Sequence, residues 1–226
     1  MEHVFFSGID GSGKSTQASY LYYHMKLCGV RLHYVWLRWT AFVSYLLYAY
    51  AKIMRRNITL SYRGKRFVIH IYWIDKSLRK LYPLTLLIDL FLRYIVSIIN
   101  AYVRKAKIVI FDRYLLDTIV DLVWETREAK FLCSIIGKTA IALISKGVGV
   151  VLDVDPIVAA KRKDDVLSLK ELMIKRRIYE ILAKTLDLHV ITSTHRTPYQ
   201  VYMDLIKILT HRELQLCEYR LNSLKD

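Results

Sequence analysis

Eight residues near the start of the chain, Gly8-Ile9-Asp10-Gly11-Ser12-Gly13-Lys14-Ser15, place glycines, a lysine and a hydroxyl in the spacing GxxxxGK[ST]. Glycines let backbone N–H groups converge on phosphate oxygens, and a helix starting at the lysine adds a favourable dipole. The ammonium supplies a cation and the hydroxyl a magnesium ligand. The spacing predicts that Gly8, Ile9, Asp10, Gly11, Ser12, Gly13, Lys14, Ser15 and Thr16 cradle the phosphates of ATP. A second group, Asp112-Arg113-Tyr114, follows the apolar run Lys107 to Phe111. A carboxylate there can hold a magnesium-bound water opposite Ser15, which makes Ser15 and Asp112 the candidate metal ligands and turns Arg113 toward phosphate. The plainer reading of Asp112-Arg113, a salt-bridged strand end, loses weight beside the phosphate loop.

The elements that must position these residues alternate. His3 to Phe6, Arg31 to Leu37, Lys107 to Phe111, Gly147 to Leu152 and His189 to Thr192 read as strands. Helical patterns lie between them: Lys14 to Cys28, Trp39 to Arg55, Phe67 to Leu81, Leu84 to Arg104, Thr118 to Ser145 with a break near Gly137, Leu169 to Leu186, and Gln200 to Thr210. Asn57 to Gly64 reads as a loop, Pro83 as a break between two helices, and Pro156 as a helix start. Short apolar strands alternating with helices imply a parallel sheet covered on both faces, with ligands at the carboxyl ends of its strands. The expected fold is α/β: one domain over 1–226 with a five-stranded parallel sheet, helices on both faces, and a short lid at about 157–170.

The segments FFSGIDGSGKSTQ (5–17), FDRY (111–114) and VLDVDP (151–156) with Arg162 beyond it, in this strand–helix order, resemble the thymidylate kinases among the P-loop nucleoside monophosphate kinases. The resemblance implies a three-layer P-loop NTPase fold, ATP and Mg²⁺ as cofactors, a cytoplasmic setting, homodimer formation and the reaction dTMP + ATP to dTDP + ADP. By the same resemblance Asp10 lies near the acceptor sugar, Arg113 holds the acceptor phosphate, and the lid at Lys161-Arg162-Lys163 supplies the catalytic arginine, because Gly11 stands where some members carry one. Lys14, Arg113, Arg162 and Asp10 are then the catalytic candidates. Arg38 keeps a charge for the acceptor phosphate, but Leu37-Arg38-Trp39 replaces the family's Arg-Glu-Pro or Arg-Phe-Pro. Tyr72 aligns with the aromatic base stacker and Lys76 with a base-reading arginine. Lysine there loses the bidentate fork. Val120-Asp121-Leu122 stands where the family reads Ala-Tyr-Gln, so the glutamine beside the base is missing. Arg38, Tyr72, Lys76 and Arg113 are the candidate acceptor contacts, and the acceptor side spans about 39–105. Core packing is the competing role for Tyr72 and Trp73.

Composition bounds the alternatives. Hydrophobic residues at 54% with 24% charged, 8 Gly and 3 Pro exclude a disordered chain. Cys28, Cys133 and Cys217 are isolated in sequence, which supports neither a disulfide framework nor a zinc site and favours a reducing compartment. The longest uncharged apolar run, 39–51, is too short to span a bilayer, and no basic segment precedes an early apolar stretch as in a signal peptide. The net charge of +15 is regional: 26–107 holds 16 Lys and Arg against Asp75 and Asp89, a net +14. Two further readings follow. The same kinase fold can serve another acceptor, whether nucleotide, nucleoside or apolar metabolite, lined by the aromatic segment 39–103. Alternatively, a nucleotide-binding protein can use its basic segment 26–107, with pairs such as Tyr62-Arg63 and Lys65-Arg66, on nucleic acid or anionic membrane.

Overall fold

A computed structural model describes residues 1–38, 42–62, 65–163 and 168–209, with backbone only for 62 and 65–67. Five strands form the expected parallel sheet: β1 (Glu2–Ser7), β2 (Leu32–Val35), β5 (Ile108–Asp112), β6 (Val148–Asp153) and β7 (His189–Thr192), in the order β2-β5-β1-β6-β7. β1 and β5 are buried on both faces over Val4–Ser7 and Ile108–Asp112, which is why their sequences read as continuous apolar runs. The register pairs Phe6 with Asp112 and Ser7 with Val151, so the phosphate loop, Asp112 and Asp153 leave the sheet at one edge.

Helices α1 (Lys14–Leu27) and α8 (Pro198–Ile208) cover one face over Val4, Phe6, Ile110, Val150 and Leu152. The other face packs Phe5, Val109, Phe111 and Val151 against α3 (Lys76–Val103), α4 (Leu115–Thr126), α5 (Ile135–Ile144) and α7 (Leu169–Thr185). The remaining helices are α2 (Ser44–Ile53) and α6 (Pro156–Arg162). Residues 164–167 of the expected lid lie outside the described residues, as do Trp39, Arg63 and Cys217.

The segment between β2 and β5 departs most from expectation. Asn57–Tyr62 and Lys65–His70 are strands β3 and β4 of an antiparallel hairpin, not a loop followed by a helix. Alternation explains it. Ile58 pairs with Ile69 and Leu60 with Phe67 on one face, a period of two that a short apolar run disguises. The helix expected from Phe67 starts only at Lys76, where Asp75 caps it by accepting from the N–H groups of Ser77 and Leu78.

Nor does Pro83 break this helix. Leu78, Tyr82, Leu86 and Leu90 form one buried row at i, i+4 spacing across it. Burying each is worth about 1.5–3 kcal/mol, which together outweighs a proline cost of about 3 kcal/mol. α3 is long and apolar enough to cross a membrane by length and composition, yet that row lies in the core. So does Asp89, whose carboxylate accepts from the N–H groups of Phe42, Val43 and Ser44 and so caps α2 from another helix. The break expected near Gly137 falls just before it, between α4 and α5, and Gly137 itself sits inside α5. A Cβ there would lie 2.4 Å from the Phe131 carbonyl oxygen, so glycine allows α5 to press on the preceding turn. Cys133 is exposed and free, whereas Cys28 is disulfide-bonded, which corrects the reading that no bridge forms.

Candidate functional site

The phosphate loop leaves β1 through glycines in conformations that other residues resist: φ is +143° at Gly8, +86° at Gly11 and +97° at Gly13. Lys14 opens α1 and folds back beneath the loop, its Nζ donating to the carbonyls of Gly8 at 2.6 Å and Ile9 at 2.8 Å. Burial, then the neighbouring Arg113 guanidinium, pushes the Lys14 ammonium down to about 8. A buried cation held only by carbonyl oxygens and a carboxylate at 3.9 Å is poised to take a phosphate oxygen.

Arg113 reaches the loop from the end of β5. Its backbone is left-handed, φ +70°, unusual for a side chain of this size, and its guanidinium donates to Asp10 Oδ1. Burial would raise the Asp10 carboxyl, but Lys14, Arg113 and Lys163 hold it well below the usual carboxylate range. Asp10 is thus ionised and ties together cations from three segments.

Helix α6 comes down onto the loop because Gly11 has no side chain. A Cβ on Gly11 would lie 2.6 Å from the Ala159 carbonyl oxygen. Asp155 caps α6, accepting from Ile157 N and Val158 N, and the helix delivers Arg162 at its end. Arg162 donates to Ser193 O at 2.9 Å and to Gly11 O at 3.4 Å, and Ser193 Oγ donates to Ser12 O. The result is a cleft of about 370 Å³ lined by residues 10–17 with Arg113, Arg162, Lys163, Ser193, Arg196, Pro198 and Val201. Five cationic side chains face one carboxylate in it, which is the charge balance of an anion site. A smaller apolar cavity of about 290 Å³ lies behind the loop, between α7 and strands β6 and β7.

Asp112 is buried beside the loop. Its Oδ2 accepts from the Tyr34 hydroxyl at 2.9 Å, while its Oδ1 is buried without a partner. Ser15 is exposed in the first turn of α1. An orphaned buried carboxylate oxygen is a donor of the kind a magnesium ion takes. Among the described residues no group of three or more His, Cys, Asp or Glu is placed to bind a metal by itself.

The acceptor candidates divide. Arg38 follows β2 and is half-buried, within the field of Glu125. Tyr72 is wholly buried, packed on Tyr82 and His70 at ring distances of 4.6 and 5.0 Å, so its faces belong to the core and are not open to a base. Lys76 is exposed at the start of α3 and makes no hydrogen bond or ion pair among the described residues. Trp73 carries the Arg127 guanidinium 4.4 Å from its ring centre.

Two groups escape the sequence reading. Asp117 is a buried hub that accepts from Ser7 Oγ, Tyr114 N and the Tyr179 hydroxyl, joining β1, α4 and α7 beneath the loop. Lys175 of α7 pairs with Asp121 of α4 and Glu171, both at 2.7 Å, beside Glu125. Their only trace in the sequence is i, i+4 spacing, 121 with 125 and 171 with 175, on helices 50 residues apart.

No protein-family model and no curated protein matches this sequence. Among solved structures, the chain is similar to the thymidylate kinase from Ehrlichia chaffeensis, with a TM-score of 0.54 and 21% identity over 93% of this chain and 98% of that one. The protein thus shares the α/β fold of a thymidylate kinase over nearly its whole length.

Proposed function

We propose that the protein is a nucleotide kinase, transferring the γ-phosphoryl group of ATP to a nucleoside monophosphate. The observation that carries this reading is the convergence of Lys14, Arg113, Arg162 and Lys163 on the phosphate loop around Asp10. Phosphoryl transfer asks a protein for alignment and charge neutralisation more than for covalent chemistry. The backbone of residues 8–16 binds the donor phosphates, and Lys14 exchanges the Gly8 and Ile9 carbonyls for phosphate oxygens. Arg113 and Arg38 hold the acceptor phosphate, with Asp10 keeping Arg113 oriented until the acceptor arrives. Arg162 and Lys163 cover the transferring group, and α6 above them excludes water that would otherwise hydrolyse ATP. Ser15 and Asp112 would hold Mg²⁺, which would supply charge neutralisation to the donor phosphates.

The structural neighbour's name and the sequence resemblance make dTMP the reference acceptor. ADP release with dTMP and other monophosphates tests the reading: turnover is expected with at least one, and the Lys14→Ala or Arg113→Ala variant should abolish it. Wild-type turnover in either variant would refute it.

The exposed face of α3 supports a homodimer in the same reading. Leu92, Ile95, Val96, Ile99, Tyr102 and Val103 are each at least 50% exposed and recur at three- and four-residue spacing, the pattern of a helix that packs on another helix. A second copy is the occupant proposed. The basic segment supports nucleic-acid or membrane binding less, because several of its cations have structural tasks: Arg93 donates to the carbonyls of Trp36 and Arg38, and Arg79 pairs with Glu128.

A further inference from the structure

One carboxylate joins the phosphate loop to the segment that carries Arg113. Asp117 lies in the first turn of α4 and is 3% exposed. Its Oδ2 accepts from Ser7 Oγ at 2.7 Å and from Tyr114 N at 2.9 Å, while its Oδ1 accepts from the Tyr179 hydroxyl at 2.8 Å. Ser7 is the last residue of β1, next to Gly8 where the loop begins, and Tyr114 directly follows Arg113. A single oxygen atom therefore holds the residue before the loop and the residue after the arginine. Ser7, Tyr114 and Tyr179 are buried as well, so water does not compete for these bonds.

The backbone at Arg113 needs such a tie. Its φ of +70° is a conformation that a residue with a side chain keeps only when its surroundings over-determine it. Bonds on both sides do so here. Arg113 N donates to Phe6 O of β1, Tyr114 N donates to the Asp117 carboxylate, and Asp117 N donates back to Tyr114 O. Phe6 and Ser7 are neighbours at the end of β1, so the strand that launches the loop also fixes the twist that aims Arg113 at it. The carboxylate is close enough to act on both cations, Lys14 and Arg113.

We propose that Asp117 is a positioning residue for phosphoryl transfer, setting the phosphate loop and Arg113 at the separation the reaction requires. This rests on the kinase reading above and adds a residue that touches neither substrate. Donor and acceptor phosphates each bind to their own half of the cleft, so binding alone does not need the tie. Transfer does, because misplacing reacting groups by about 1 Å costs on the order of 10²-fold in rate. The tie is made by hydrogen bonds, so asparagine can reproduce it: its carbonyl oxygen takes the Ser7 and Tyr114 donors and its amide donates to the Tyr179 oxygen.

ADP release with the monophosphate turned over fastest, measured below the melting temperature of each variant, separates this role from a purely structural one. Asp117→Ala is expected to lower kcat at least about 30-fold while ATP affinity, followed by calorimetry, stays within about 3-fold of wild type. Asp117→Asn should recover at least about 10-fold of that loss. Ser7→Ala removes one arm and keeps the carboxylate. It should lower kcat roughly 3- to 10-fold in the wild type but less than about 2-fold in the Asp117→Ala background, since the two act through one bond. If Asp117→Ala does not fold, the fall in kcat at constant ATP affinity in Ser7→Ala decides. Wild-type kcat in the folded variants, a loss confined to ATP affinity, equal Ser7→Ala losses in both backgrounds, or an asparagine variant no better than alanine would overturn the positioning role alone. Absence of wild-type turnover with every monophosphate would overturn the kinase reading, and the positioning role with it.

Discussion

The two ends of the cleft are built on different principles. At the end proposed for the donor, one continuous stretch, residues 8–16, supplies backbone groups, a lysine and a hydroxyl, and the chain folds around them through glycines that no other residue replaces easily. In the region proposed for the acceptor, single side chains come from separate segments: Arg38 after β2, and Asp121 and Glu125 on α4 beside Glu171 and Lys175 on α7. Backbone recognition tolerates little change in sequence, because it depends on where the chain can go. Side-chain recognition tolerates almost any change, because each position answers only to its ligand. That is why this chain keeps a legible phosphate loop while its acceptor wall matches the resemblance only in outline.

Breaking each end separately should sharpen this contrast. The largest effect is expected from Lys14→Ala, which should lower kcat/KM for every acceptor alike by roughly 10²–10⁴-fold, as measured by ADP release. Arg38→Ala should instead raise the acceptor KM by about 10-fold while ATP affinity, followed by calorimetry, stays constant. Gly11→Ala lies between these two. With φ at +86° and the Ala159 carbonyl 2.6 Å from the new Cβ, it should cost about 1–3 kcal/mol in a urea titration and lower kcat by displacing α6. On the acceptor side, Asp89→Ala strips the cap from α2 and should cost a similar 1–3 kcal/mol with the donor loop left intact, so ATP binding to the folded protein should persist. Ile95→Glu together with Ile99→Glu should convert a dimer to a monomer in light scattering, and monomeric wild-type protein would remove the dimer from the reading.

A separate effect is one of pH. The Glu125 carboxyl is raised by burial and by Asp121 and Glu171, against the opposing charges of Lys175 and Arg38, so the folded protein holds its proton up to about pH 8 while the unfolded chain releases it near 4.5. Between those values the native state binds the extra proton, and the contribution of this group to stability falls as pH rises. The melting temperature of Glu125→Gln relative to wild type should therefore increase from pH 5 to pH 8 and level off above. A difference independent of pH would show that Glu125 is ionised throughout.

The sequence is most transparent where local rules act alone. β1, the glycine loop and the start of α1 were legible together because a buried strand, a positive-φ turn and a helix N-terminus each leave their own mark. Asp112-Arg113 was legible because it ends a strand whose partner is β1. The β3–β4 hairpin was not, since its alternation is short and exposed and Phe67 to Leu81 also carries a helical spacing. Pro83 misled for a related reason: the penalty of a proline is local, whereas the buried row that outweighs it is contributed by the surrounding core. Tyr72 has the right residue type for stacking on a base, and only packing against Tyr82 and His70 shows that its faces are taken.

By itself the sequence determined the α/β alternation and the glycine loop at which we propose phosphate binds, because those depend on neighbours within a few residues. Tertiary structure decided that Asp89 caps a helix more than 40 residues away, that Gly11 admits α6, and that Lys175 pairs with Asp121 and Glu171. The physical reason is the same in each case. A charge or a close contact has its energy set by what surrounds it in space, and sequence spacing carries no record of which groups folding will bring within a few ångströms.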